Sequence, residues 1–142
     1  MDFLPDAAQL SQIMSHATAP AFVLGAVAGF ISILMTRLAT IVDRIRSLNG
    51  IPPDADRANL KSDIPRLKRR ANLLNNAMSF ALASGICTAL LLVFGFACAY
   101  VGLRHEYGVG LLFVLAIALL GTSLFRFAQE VSMGLSEFDH YQ

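Results

Sequence analysis

The sequence predicts an all-α fold: three transmembrane helices, with a cytoplasmic antiparallel helical hairpin extending the first two spans. Three observations predict it. Apolar residues make up 56% of the 142-residue chain and charged ones 15%, against roughly 45–50% and 25% in soluble domains. Three stretches, residues 17–35, 77–101 and 109–125, carry no Asp, Glu, Lys or Arg. As helices they would run ~28, ~37 and ~25 Å, against a hydrocarbon core of ~30 Å. Helices of a soluble bundle need a polar stripe, and these stretches have none. Finally, of 11 basic residues only Arg104 and Arg126 lie outside residues 36–76. Basic loops stay on the cytoplasmic side, so the N-terminus is expected outside and the C-terminus inside.

Residues 1–16 read as an amphipathic segment on the outer interface. Leu10, Ile13, Met14 and Ala17 share one helical face, with Gln9, Ser11, Gln12 and Ser15 opposite. This segment lacks Lys and Arg and contains Asp2 and Asp6. It is therefore no signal-peptide n-region, and the first span is expected to remain uncleaved. Pro20 either kinks a continuous helix or opens a new one.

After the first span the apolar pattern continues as Leu34, Leu38, Ile41, Ile45 and Leu48. Before the second it reads Ile64, Leu67, Ala71, Leu74 and Met78. Alternating steps of three and four are heptad seams on helices. The two extensions should pair as a short antiparallel coiled coil over residues 36–76. Asn49-Gly50 provides a C-cap, Pro52-Pro53 a stop, and Asp63 an N-cap just before Pro65. The loop between should hold a helical turn near Ala58–Lys61. Arg44, Arg46, Arg66, Arg69 and Arg70 then face anionic lipid headgroups; the sharper reading is a docking surface for an acidic partner.

Within the bilayer, helices approach closely where residues are small. The first span has such a ladder at Ala17, Ala21, Gly25 and Gly29, to be covered by its own neighbours or by another copy. Three helices cannot enclose an aqueous pore. A channel would need several copies around the first span, lined by Ala21, Gly25, Gly29, Ser32 and Thr36, with Arg37 at the cytoplasmic mouth. The spans hold no midplane charge, which argues against a coupled carrier. The short outer turn, residues 102–108, leads into the third span. In the cytoplasmic tail, residues 126–142, Arg126 and Glu130 stand four apart at the inner interface. They read as an intrahelical pair; alternatively, Glu130 reaches the hairpin arginines and ties the third helix to them.

Chemistry is sparse. Cys87 and Cys98 stand ~16 Å apart along one helix and cannot bond to each other. Asp2, Asp6, His16, His105 and Glu106 share the outer side, without ligand spacing for a metal. No catalytic triad, phosphate loop or zinc signature is present, so neither an enzyme nor a cofactor is expected. The net charge of +1 gives no reason to expect a nucleic-acid partner.

Several segments carry a family likeness: Ala19-Pro20, Arg37-Leu38, Ile41-Val42-Asp43-Arg44-Ile45-Arg46, Leu67 with Arg70-Ala71, Ser123-Leu124 and Glu130-Val131. From about Ser15 to Met133 the chain resembles the bacterial membrane proteins grouped as domain of unknown function 2721. The resemblance implies a small multi-pass bacterial membrane protein and no particular activity. The expected function is non-catalytic: a homo-oligomeric assembly or accessory subunit of the bacterial inner membrane, presenting its basic hairpin to lipid or to a cytoplasmic protein. The alternative is an oligomeric ion channel lined by the first span.

Overall fold

The computed structural model describes residues 6–102 and 106–138; apart from a turn region at 50–57 and the ends of the helices, these are helical, with no strand among them. Helix α1 is Ala7–Asn49, α2 is Ile64–Val101 and α3 is Glu106–Phe138, with a 3-10 helix, η1, at Ala58–Asp63. All three long helices have the length and apolarity to cross a membrane. In none of their apolar windows is more than 22% buried. Large side chains such as Phe22, Ile86, Val93, Leu111 and Phe125 therefore face outward, as lipid-facing surfaces require.

The helices are longer than the charge-free stretches. α1 runs unbroken through the amphipathic segment, the first span and its extension, with Pro20 inside it. Of the two readings for Pro20, a new helix start is therefore excluded. The helix stops as expected near Asn49-Gly50, but by another route. Gly50 does not take a positive φ. Its N–H donates to the Arg46 carbonyl at 3.0 Å, Ile51 N–H donates to the Leu48 carbonyl at 3.3 Å, and Pro52 ends the run. The left-handed glycine is Gly102 (φ +72°), after α2. Tyr107 and Gly108, expected in the outer turn, are already helical, and the residues expected as a tail continue α3 to Phe138.

The chain packs as two compact units. The first combines α1 up to Phe30 with Ala81–Leu120; the second combines Ile31–Phe80 with α3 from Gly121 onward. In the first, Pro20, Val27, Ala81, Ser84, Thr88, Leu91 and Ala116 are buried. Ser84 Oγ donates to the Ala116 carbonyl at 2.7 Å. Gly85 gives close passage to α1, since a Cβ there would lie 3.3 Å from Val27 Cγ1. The expected small-residue ladder does not serve this packing. Ala21, Gly25 and Gly29 are exposed, and a Cβ on either glycine would meet nothing within 4 Å. The reason is periodicity: burial on α1 falls at Pro20, Val27, Leu34, Ile41 and Leu48, a seven-residue repeat that the ladder does not share.

In the second unit both predicted seams are covered. Leu34, Ile41, Leu48, Leu67 and Leu74 are buried, and Leu38, Ile45, Ile64, Ala71 and Met78 are half-buried. Ser123 Oγ donates to the Ala77 carbonyl, both groups being sealed from solvent. Exposed Thr18, Thr36, Thr40 and Ser79 each donate to the carbonyl four residues back on their own helix at 2.9–3.1 Å.

Candidate functional site: a buried carboxylate between two arginines

The second unit holds a fully buried carboxylate, Glu130 on α3, at 0% exposure. Charge in such a place must be matched. Arg70 of α2 does so directly: its Nε and Nη2 donate to Glu130 Oε1 at 3.0 and 2.7 Å. Arg37 of α1 approaches the other oxygen, Nε to Oε2, at 3.5 Å. Oε2 accepts no hydrogen bond, so Arg37 contributes charge rather than a directed bond. Arg70 is nearly enclosed (14% exposed) and Arg37 is partly open (39%).

Three α3 residues at steps of three and four build the cradle. Phe127 lies under the Arg37 guanidinium, 5.3 Å from ring centroid to Cζ, within cation–π range. Glu130 follows. Gly134 then leaves room for Arg70, because a Cβ there would come within 3.0 Å of Arg70 Nη2. Next along the helix, Arg66 Nη2 donates to Ser136 Oγ at 3.4 Å. One carboxylate thus meets two guanidinium groups.

The two partners considered for Glu130 are now distinguished. Its ion pairs among the described residues are with Arg70 and Arg37, and Arg126, half-buried one turn back, is not among them. Arg37, proposed as a pore-mouth residue, faces Phe127 and Glu130. Of the other hairpin arginines, Arg44 and Arg69 are exposed, and Arg46 pairs loosely with Asp43 at 3.7 Å. Ser32 and Thr36 lie exposed on α1 beside Gly25 and Gly29. The outer-side group cannot be assembled, as Asp2 and His105 lie outside the described residues. Phe127 and Gly134 were missed in the sequence, although a Phe, Glu and Gly at this spacing on one face is the signal that would have found them.

The model of the family described as "Protein of unknown function (DUF2721)" matches residues 17–139. No curated protein and no solved structure matches the chain. The matched region contains all three helices' apolar stretches and the whole Arg37–Glu130–Arg70 cluster, and the chain belongs to this DUF2721 family.

Proposed function

We propose that this is a non-catalytic, multi-pass protein of the bacterial inner membrane, N-terminus outside and C-terminus cytoplasmic, working without a cofactor. It self-associates through the α1 ladder and presents the basic ends of α1 and α2, as an antiparallel hairpin, to anionic lipid headgroups or an acidic cytoplasmic partner. The observation that carries this reading is the exposure of Arg44, Arg46 and Arg69 on the stretches of α1 and α2 that follow Arg37 and precede Arg70. Each basic residue near an anionic surface contributes about 1 kcal/mol. Self-association is supported by the exposed Gly25 and Gly29, which leave backbone open to close approach.

The test is the mass of the detergent-extracted protein, with Gly29→Leu as the variant that blocks close approach. An oligomer that Gly29→Leu reduces to monomer supports the reading, and a monomeric parent protein overturns it. Flotation with vesicles containing anionic lipid should weaken in an Arg44→Ala, Arg46→Ala, Arg69→Ala triple variant.

The second reading is an ion channel lined by α1. It is favoured by one observation: Gly25, Gly29, Ser32 and Thr36 recur at steps of four, three and four along α1, and all are exposed. Conductance in planar bilayers that is lost on Gly29→Leu and kept on Arg69→Ala would select it, and absence of conductance removes it.

A further inference from the structure

The first unit contains a cleft of about 620 Å³, and we propose that it is a binding site for one acyl chain of a membrane phospholipid. All three helices form its walls: Ile13 to Pro20 of α1, Leu91 to Ala99 of α2, and Val109 to Phe113 of α3. The space exists because small residues stand where larger ones would fill it. Gly95, Ala99 and Gly110 all line it, and a Cβ on Gly95 or Gly110 would meet nothing within 4 Å.

The lining decides the chemistry of the occupant. Leu91, Leu92, Phe96, Val109 and Phe113 offer water nothing to bond with, and apolar cavities of this kind stay dry but accept apolar guests. Among these walls stands one histidine, His16, whose imidazole can both donate and accept a hydrogen bond. An occupant that is mostly apolar and carries a polar group matches this lining. This inference rests on the membrane reading, which makes the surrounding solvent a reservoir of such molecules. It is independent of self-association and of the basic hairpin.

The experiment uses the full chain reconstituted in phosphatidylethanolamine vesicles, re-extracted in mild detergent and weighed by native mass spectrometry. One retained phospholipid per chain is expected. Gly95→Phe and Gly110→Leu, which project into the open space, should lower retention by about tenfold or more. Gly121→Leu, in the other unit, should leave it unchanged. A zwitterionic lipid is chosen so that attraction to the basic hairpin cannot produce the result. In parallel, with Cys87→Ser leaving Cys98 as the sole thiol, alkylation of Cys98 by N-ethylmaleimide should slow when phospholipid is added back to delipidated protein. This arm does not depend on a filled variant folding. No retained lipid in the parent protein, equal retention in folded filled variants, no protection of Cys98, or Cys98 cross-linking between copies in its place would each overturn the proposal.

Discussion

Arg70 donates both Nε and Nη2 to a single oxygen of Glu130, so the buried α3 carboxylate is held by α2 rather than by a residue of its own helix. Removing one member of a buried pair leaves the other uncompensated, at about 3–5 kcal/mol. Glu130→Ala should lower stability by that order, read as thermal unfolding in detergent. Replacing both partners, Glu130→Leu with Arg70→Leu, should recover most of the loss, because a well-packed apolar pair can substitute for a buried ion pair. Failure of the double variant to recover would mean that the cluster's other contacts dominate.

Arg37→Ala should cost far less, about 1 kcal/mol or under. Its side chain is 39% exposed and its contact with Oε2 is 3.5 Å, so its surroundings screen it. Comparing Arg37→Ala with Arg70→Ala in one unfolding assay checks the ranking.

At Gly134 the first added atom would meet Arg70 Nη2 at 3.0 Å. That is the mobile end of a long side chain, so Gly134→Ala should be tolerated within about 1 kcal/mol. Gly134→Leu should displace the guanidinium and approach the Arg70→Ala phenotype. By contrast, Gly25→Ala should raise monomer stability slightly, since nothing lies within 4 Å of its added carbon and alanine favours a helix interior by up to about 1 kcal/mol over glycine.

Ser123 donates to the Ala77 carbonyl and Ser84 to the Ala116 carbonyl, all in buried positions. Ser→Ala at either site should cost about 0.5–1.5 kcal/mol. The two losses should add, since the bonds belong to different units. A double variant in an unfolding titration provides the check.

Membrane orientation is tested by labelling. In a background with Cys87 and Cys98 replaced by Ser and Ala, Asp54→Cys places a thiol in the loop between α1 and α2. An impermeant maleimide should label it in inverted vesicles and not in intact cells. The reverse pattern would overturn the cytoplasmic assignment of the basic connection.

Periodicity made much of this fold legible. The heptad positions Leu34, Ile41, Leu48, Leu67 and Leu74 could be read as a buried stripe because apolar spacing reports the covered face directly. The helix ends near Asn49 and Pro52 were legible because proline's missing N–H acts locally, whereas Asp63, expected as an N-cap, instead closes η1, which runs directly into α2. The helical turn expected near Ala58–Lys61 is η1. Two things were not legible. Small residues announce that close approach is allowed, not who approaches: Gly85 meets Val27, whereas Gly25 and Gly29 meet open space. An acidic residue likewise does not declare which cation it will find. Arg126 is one turn away along the chain, but Arg70 and Arg37 are delivered by other helices.

The Glu130 pairing also bears on how the chain assembles as it is made. On α3 alone the carboxylate would have Arg126, one turn back, as its nearest cation along the helix. Arg37 and Arg70, which meet it in the fold, precede it in the chain on α1 and α2. In a chain made from the N-terminus both are therefore already present when α3 is completed, and Glu130 can exchange a neighbour on its own helix for two on others.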